Sequence, residues 1–215
     1  TRAATVSDVG IFGANHTPNP GFVMQADWFQ AGDTRYVSPS GSHTPPYETW
    51  ATAANDIQAA VDASLDGDTV IVGDGTYTVT SSLSLTAGVR VVSANGSSGA
   101  VIDGGGTTRC VYLNHEDAVL EGFTVQNGYN PGGFGGAVNI HDGGTVRDCI
   151  LQNSQARDGG GIAIDEDGWV VNCVIRDNLA WDNGTRGYGG GVRLLNGGTA
   201  RGCLVVGNES HNYGG

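Results

Sequence analysis

The sequence has no lysine. All ten of its basic residues are arginine, and 22 Asp and Glu residues outnumber them, which gives a net charge of -12. A surface of that charge repels phosphate backbones, so we expect no nucleic-acid partner. An anionic polysaccharide would have to be bound by local arginines rather than drawn in by the overall field.

The sequence also lacks long apolar runs. None approaches the roughly 18 residues of a membrane span, which predicts no spanning helix. The first residues, from Thr1 to Ala4, do not begin a basic region followed by an apolar one, so a signal peptide, if the protein has one, is already removed. Four cysteines are too few for a dense disulfide framework in 215 residues.

Glycine, in contrast, is in excess and marks an internal repeat. There are 37 glycines, about one residue in six against a usual share of roughly 7%, and the absence of a Gly-X-Y period excludes collagen. A Gly-Gly-x-hydrophobic segment recurs, and a cysteine follows its first glycine by 14 positions each time. The three blocks are GGAVNIHDGGTVRDC (135–149), GGGIAIDEDGWVVNC (159–173) and GGGVRLLNGGTARGC (189–203). A degenerate earlier copy is RCVYLNHEDAVLEGF (109–123).

Aligned without a gap, the four copies show the apolar and polar alternation of short strands. The predicted inward columns are Tyr112, Val138, Ile162 and Val192; Asn114, Ile140, Ile164 and Leu194; Leu120, Val146, Val170 and Ala200; Phe123, Cys149, Cys173 and Cys203; and Val125, Leu151, Ile175 and Val205. The residues between the first two columns vary and are predicted to face outward; they are Leu113, Asn139, Ala163 and Arg193. The turn residues predicted to form a hydrogen-bonded ladder are Asn127, Asn153, Asn178 and Asn208.

The spacing of the copies predicts the architecture. Members of the cysteine column are 26, 24 and 30 residues apart, and no unit contains a helical stretch. A sandwich needs hairpin turns between neighbouring strands and would give these columns no reason to exist. A coil whose turns stack about 4.8 Å apart explains both observations. The predicted fold class is therefore all-β, a parallel β-helix solenoid.

A helix and two strands are predicted before the repeat. Residues 54–63 carry apolar side chains at helical spacing, with Asn55 or Asp56 as N-cap. Such a short helix is the expected cap over the open end of a solenoid. Residues 69–72 and 76–79 are predicted as strands of the first coil.

The chain divides into three predicted segments. Residues 1–35 form an N-terminal arm, which either lies over the flank of the coil or donates a strand to a neighbouring molecule. Residues 36–68 form the entry strand and capping helix, and 69–215 form the coils, with a C-terminal end that is open or truncated. An open coil leaves unpaired backbone groups. This predicts self-association through coil ends or the arm, head-to-tail into a filament, unless the sequence is a fragment of a longer chain.

Several stretches resemble right-handed parallel β-helix proteins of the pectate-lyase-like superfamily, especially bacterial secreted and surface members. They are YVSPSG (36–41), WATAANDIQAAVDAS (50–64), GDTVIVGDGTYT (67–78) and the GGGI…NC repeats. The resemblance implies a right-handed coil and a secreted or cell-surface protein. It implies no single activity, because members include polysaccharide lyases, hydrolases, epimerases, adhesins and structural modules.

The cysteine column and an acidic corner are the candidate structural and metal sites. Cys149, Cys173 and Cys203 are predicted to be small core hydrophobes, with a disulfide between stacked neighbours as the alternative. The acidic corner contains Glu116, Asp142 and Glu166, with His115, His141, Asp165 and Asp167 beside them. Stacked carboxylates favour a cation, and Asp142, Asp165 and Glu166 are the candidate ligands for calcium. A solvated turn is the alternative, so no metal or other cofactor is predicted apart from that ion.

Segments of variable length are the candidate binding surface, because loops on a rigid scaffold often carry function. These segments, 128–134, 154–158, 179–188 and 209–213, leave the same corner of each coil. Their aromatic residues suit the apolar faces of sugars, although they would also serve to hold the loops on the coil. The candidate ligand-binding residues are Tyr129, Phe134, Trp181, Tyr188 and Tyr213.

Charged residues on the same flank are the weak catalytic candidates. The resemblance implies that lyases of this fold use lysine or arginine as base, and here only arginine is available. The best set is Arg157 or Arg186 with Asp158 or Asp182. An inverting hydrolase would instead need two carboxylates about 6.5–9.5 Å apart.

Two functions stay open. The first prediction is a non-catalytic extracellular module for structure or adhesion that self-assembles into a filament. The alternative is a carbohydrate-active β-helix, either a lyase-like enzyme or a glycan-binding module, that uses the flank 128–134, 154–158 and 179–188.

Overall fold

The computed structural model of the protein describes residues 32–181 and 187–211. Most of the predicted N-terminal arm and the candidate residues Asp182, Arg186 and Tyr213 lie outside the described residues.

Short parallel strands make up most of the described chain. In chain order they are β1 Thr34–Val37, β2 Thr69–Val72, β3 Gly75–Thr78, β4 Leu83–Leu85, β5 Arg90–Ser93, β6 Ala100–Asp103, β7 Val111–Leu113, β8 Val119–Glu121, β9 Thr124–Gln126, β10 Tyr129–Phe134, β11 Val138–Ile140, β12 Thr145–Arg147, β13 Ile150–Gln152, β14 Gln155–Asp158, β15 Ile162–Ile164, β16 Trp169–Val171, β17 Val174–Arg176, β18 Leu179–Ala180, β19 Val192–Leu194, β20 Thr199–Arg201, β21 Leu204–Val206 and β22 Glu209–Ser210. A helix, α1, spans Ile57–Asp62, and a single 3-10 turn spans Gly96–Ser98.

The strands stack into four parallel sheets, which are the sides of a coil. The first sheet has the order β1-β2-β5-β8-β12-β16-β20, and the second has the order β3-β6-β9-β13-β17-β21. The third sheet is β10-β14-β18-β22, and the fourth is β4-β7-β11-β15-β19. Each strand inside a sheet pairs with its counterpart one coil earlier and one coil later, so the predicted all-β parallel β-helix is confirmed.

The predicted inward columns form the core in the earlier coils, with one correction. In the last described coil, Leu194, Ala200 and Val205 are exposed. Val138 pairs with Val111 and Ile140 with Leu113, so these two residues belong to the first two columns in place of Tyr112 and Asn114. Leu113, which was predicted to face outward, is buried in the core. The corner between β7 and β8 has five residues, whereas the equivalent corner between β11 and β12 has four. The gap-free alignment of the earliest copy was therefore wrong by one residue before this corner, and Tyr112 faces outward.

The segments predicted as variable loops are partly strands. Residues of 128–134, 154–158, 179–188 and 209–213 supply the four strands of the third sheet. They do leave the same corner of each coil, as predicted, but backbone pairing holds them in register. Tyr129, for example, pairs with Gln155, and Gln155 pairs with Leu179.

The capping helix begins where the sequence predicted. Asp56 is the N-cap, and its carboxylate accepts a hydrogen bond of 2.8 Å from the backbone N–H of Ala59. The helix buries Ile57, Ala60 and Val61 against the first strands, because apolar residues recur at helical spacing. In the part of the chain that the structure describes, no helix is long and apolar enough to cross a membrane.

The cysteine column is buried and carries no disulfide. Cys149 and Cys173 lie in the core with Phe123, and Cys203 is half-buried. Burial raises the pKa of Cys149 well above its ordinary value, so its thiol stays protonated. These thiols therefore pack as small core hydrophobes.

The predicted asparagine ladder occupies two neighbouring columns rather than one. Asn127 and Asn153 have positive φ angles of 54° and 52° and make the left-handed bend, a conformation that Asn tolerates well. Asn178 and Asn208 belong to the next column and point inward. The Asn178 amide donates to the Asn208 side-chain oxygen at 3.0 Å, which gives the axial hydrogen bonding that was predicted.

Candidate functional site

The outer face of the fourth sheet carries a column of aromatic, polar and charged side chains. Tyr112, Asn139, Ala163 and Arg193 form its outward column, one residue from each of four successive coils. Asn139 and Ala163 are buried although they face away from the core. Neighbouring groups therefore cover the middle of this face.

One of these groups is Phe134, at the end of β10. Its ring lies between two guanidinium groups, with the Arg157 carbon at 4.7 Å and the Arg193 carbon at 4.5 Å from the ring centroid. Cations over an aromatic face are attracted by its negative potential. Phe134 thus holds two arginines in place, rather than offering a free ring to a ligand.

Asp158 pairs with the same two arginines. One of its carboxylate oxygens lies 3.0 Å from Arg157 Nε and 2.7 Å from Arg193 Nη1, and the other accepts the backbone N–H of Tyr188 at 3.0 Å. The carboxylate is buried. A carboxylate held in this way is a structural anion, so Asp158 does not suit the catalytic role for which it was a candidate.

Arg109 is the cation of this face that has no carboxylate partner among residues 32–181 and 187–211. Its guanidinium lies 4.8 Å from the centroid of Tyr112 and donates to the Phe134 carbonyl at 3.3 Å and to Asn139 Oδ1 at 3.2 Å. Burial lowers the pKa of Arg109, and the nearby Tyr112 and Asp165 partly oppose this. Within the same ranges its Nε is buried and has no hydrogen-bond partner. Arg109, Arg157 and Arg193 are called the arginine cluster below.

A histidine and a carboxylate lie beside Arg109. His141 Nδ1 is 3.1 Å from Asp165 Oδ2, and Asn139 Nδ2 donates to the same oxygen at 3.1 Å. The Tyr112 ring is stacked on His141, with centroids 5.8 Å apart. This geometry fits an imidazole whose Nδ1–H donates to Asp165, and the ring is half-exposed.

The acidic corner does not assemble a metal site. Asp142 and Glu166 are exposed, and Asp165 is engaged by His141 and Asn139. Across the two described stretches no group of three or more His, Cys, Asp and Glu side chains is placed to hold a metal ion. Calcium binding by Asp142, Asp165 and Glu166 therefore stays a prediction, as does the alternative of a solvated turn.

The four predicted aromatic residues that the structure describes are spread over the third sheet and the segment that follows it. Tyr129 begins β10 and Phe134 ends it, so they lie at opposite corners of the third sheet. Tyr188 is partly exposed next to Asp158, and Trp181 lies 6.0 Å from the His211 ring.

Sequence reasoning missed Arg109, Tyr112 and His141 as site residues. Because the alignment was wrong by one residue at this corner, Tyr112 was predicted to lie in the core. It belongs instead to the outward column with Asn139. His141 was noticed only as a neighbour of the acidic column.

Comparison with known proteins supports the fold. No family model and no curated protein matches the chain. A solved structure, the crystal structure of pectate lyase Pel9A, is similar with a TM-score of 0.56 and 19% sequence identity. The match covers 80% of this chain and 47% of that one, so the chain spans about half the length of Pel9A. At this identity the similarity shows the fold alone.

Proposed function

We propose that the outer face of the fourth sheet binds an acidic polysaccharide, in a secreted or cell-surface setting. The observation that carries this proposal is the arginine cluster, three arginines gathered in a chain of net charge -12. Asp158 pairs with Arg157 and Arg193, whereas Arg109 has no carboxylate partner within 4.0 Å among the described residues. A uronate carboxylate is a group that this charge suits, because hydrogen bonds between a guanidinium and a carboxylate are charge-assisted.

The surroundings of Arg109 favour a sugar acid over a small anion. The His141 ring is half-exposed beside the cation, and aromatic faces pack against the C–H groups of a pyranose. The similarity of the fold to a pectate lyase makes polygalacturonate the first polymer to test.

Binding is tested by calorimetry with polygalacturonate and with its fully methyl-esterified form. We expect the wild-type chain to bind the acid and not the ester. Arg109→Gln should weaken binding at least about tenfold, because a charge-assisted hydrogen bond contributes roughly 1.5–3 kcal/mol. Arg201→Gln, which removes the same charge from the first sheet, is the matched control and should bind like wild type.

Equal binding of the acid and the ester would contradict the proposal, as would equal losses in the two variants. Far-ultraviolet circular dichroism of both variants checks that the coil is intact.

The His141–Asp165 pair supports a second candidate function, β-elimination on the bound uronate. His141 Nε2 would accept the C5 proton, the C–H electron pair would form the C4=C5 double bond, and the C4–O4 bond would break. The departing oxygen would take its proton from water, while Arg109 neutralises the carboxylate. Asp165 would hold the ring in the required tautomer.

Elimination is tested by the ultraviolet absorbance of the unsaturated product from polygalacturonate. We expect His141→Gln to abolish product while it preserves binding, and Asp165→Asn to reduce the rate. Binding without product from the wild-type chain would remove this candidate and leave a non-catalytic binder.

The structural or adhesive role that was predicted first stays a prediction. Strands β19 to β22 form one edge of all four sheets, and Leu204, Val205 and Val206 are exposed there. Such an edge accepts any strand of suitable register, from the same chain or from another, so it does not select between the two roles.

A further inference from the structure

A second surface of the molecule has the character of a binding site. An open groove of about 700 Å³ lies where the second sheet meets the third. Its principal lining residues are Asp103, Gly105, Asn127, Tyr129, Asn153 and Gln155. The groove shares no residue with the arginine cluster or with the His141–Asp165 pair.

The stacking of two coils builds the groove. Tyr129 and Gln155 are register partners on β10 and β14, so their side chains leave the third sheet on the same side, about 4.8 Å apart. Two positions earlier, Asn127 and Asn153 occupy the left-handed bends of the same two coils. Equivalent residues of neighbouring coils therefore present two amides beside an aromatic ring.

Asp103 supplies a fixed hydrogen-bond acceptor at one end of the groove. Its carboxylate accepts the Gly105 backbone N–H at 2.8 Å, Gln126 Nε2 at 2.8 Å and Asn127 Nδ2 at 2.9 Å. Partial burial pushes the pKa of Asp103 upward, but these hydrogen bonds outweigh it and lower the pKa below its ordinary value. A carboxylate offers about four lone-pair sites, so capacity is left for a ligand hydroxyl.

Gln155 and Tyr129 supply the complementary features. Over residues 32–181 and 187–211, Gln155 Nε2 is buried and has no hydrogen-bond partner, which is uncommon for a buried amide. A small rotation of the amide toward the groove would direct this donor to a ligand oxygen. The Tyr129 ring, 37% exposed, is a flat apolar surface next to it. The groove therefore offers an acceptor from Asp103, a donor from Gln155 and the ring of Tyr129. Together these groups match a molecule that has hydroxyls on its edge and C–H groups on its face.

We propose that this groove binds a neutral hexopyranose residue of a polysaccharide. Asp103 is the charged group among its lining residues, and a carboxylate repels the uronates that the arginine cluster suits. The groove thus selects the opposite class of sugar. The inference goes beyond the function proposed above and does not rest on it.

The test is a nuclear magnetic resonance titration of the ¹⁵N-labelled chain with cellohexaose, maltohexaose, mannohexaose and a galactose hexamer. We expect at least one of them to shift the backbone amides of Gly105 and Gly128 and to leave those of Phe134 and Arg193 unchanged. Tyr129→Ala should weaken that binding about tenfold, because a stacked ring contributes of the order of 1 kcal/mol beyond the area it buries.

Two further variants make the result specific. Tyr129→Phe keeps the ring and should bind like wild type, and Trp169→Ala, which removes an exposed ring from the first sheet, should have no effect. The proposal is overturned if none of the four sugars shifts Gly105 and Gly128, or if Tyr129→Ala binds no more weakly than Trp169→Ala. Arg109→Gln should retain neutral-sugar binding, so failure of the arginine cluster and failure of the groove are separate results.

Discussion

The Asp158 side chain joins three parts of the structure. It is a buried carboxylate on β14 that pairs with Arg157 on the same strand and with Arg193 on β19, and it accepts the Tyr188 N–H. A buried charge is costly unless it is paired and fully hydrogen-bonded. The three contacts meet that condition. They also hold Arg157 and Arg193 in the positions where their guanidinium groups lie over the Phe134 ring.

We expect Asp158→Asn to lower the free energy of unfolding by about 1–3 kcal/mol, because both arginines lose their counter-ion while the shape is kept. Urea denaturation measures this. Asp177→Asn is the control, since its pair with Arg176 is exposed and such pairs contribute about 0–1 kcal/mol. Equal losses of unfolding free energy in the two variants would show that the buried pairs of Asp158 stabilise the fold no more than an exposed pair does.

The site residues were only partly predictable from sequence. Arg157 and Asp158 were singled out because they lie on the variable flank, and the structure does bring them together. Arg109 precedes Phe134 by 25 residues and Asn139 by 30, and coil stacking alone brings them into contact. A one-residue error in stacking moves a side chain from one face of a strand to the other. For this reason Tyr112 was lost from the predicted site, although the coil itself was predicted correctly.

Among the structural elements, the turn after the second sheet is held by side chains rather than by backbone alone. Asn178 accepts the Ser154 N–H at 3.0 Å and donates to the Leu151 carbonyl and to Asn208, each at 3.0 Å. Ser154 does the same for the coil before it, because its hydroxyl accepts the Gly128 N–H at 3.0 Å. This column therefore satisfies backbone groups that the bend leaves unpaired.

Asn178→Ala should lower the free energy of unfolding by about 1–3 kcal/mol, since it removes the acceptor of the buried Ser154 N–H. Asn178→Ser should recover part of this loss, because a serine hydroxyl can accept the same kind of backbone N–H. Ser154 does so one coil earlier, where its hydroxyl accepts the Gly128 N–H. Thermal or urea unfolding compares the two variants. The ladder interpretation fails if alanine and serine are equally stable at this position.

A second cross-coil element lies on the outer face of the first sheet. Glu121 Oε2 accepts hydrogen bonds from Arg90 at 2.9 Å and from Arg147 at 2.6 Å. Partial burial raises the pKa of Glu121, but the hydrogen bonds and charges of the two arginines lower it overall below the ordinary value of 4.5. The contribution of this ionised carboxylate to stability is therefore present above that value and is lost as the pH falls through the lowered pKa.

We expect Glu121→Gln to lower the free energy of unfolding by about 1 kcal/mol at neutral pH, a figure reduced for the exposure of both arginines. The difference from wild type should shrink to zero in acid, which urea titrations across the pH range measure. A difference that persists in acid would assign the effect to packing instead of charge.

At the scale of the whole molecule, charge acts in two opposing ways on an acidic polymer. The net charge of -12 repels it over long distances, whereas the arginine cluster attracts it at contact. The screening length is about 30 Å at 0.01 M salt and about 10 Å at 0.1 M. Moderate salt thus removes the long-range repulsion first.

We expect the affinity for polygalacturonate to rise between about 0.01 M and about 0.1 M salt and to fall at higher concentrations. Calorimetry over a salt series gives the profile. A monotonic fall, as for nucleic-acid binding, would mean that the cluster's attraction outweighs the repulsion at all distances.

The third side of the coil begins at β10, since the coil before it closes with the turn 104–108. A solenoid of identical turns has translational symmetry and offers a long polymer many equivalent positions. The added side breaks that symmetry at one place on the axis, and both the neutral-sugar groove and Arg109 lie at this step. A glycan bound at either of the two proposed sites would therefore be held at this one step of the described coil.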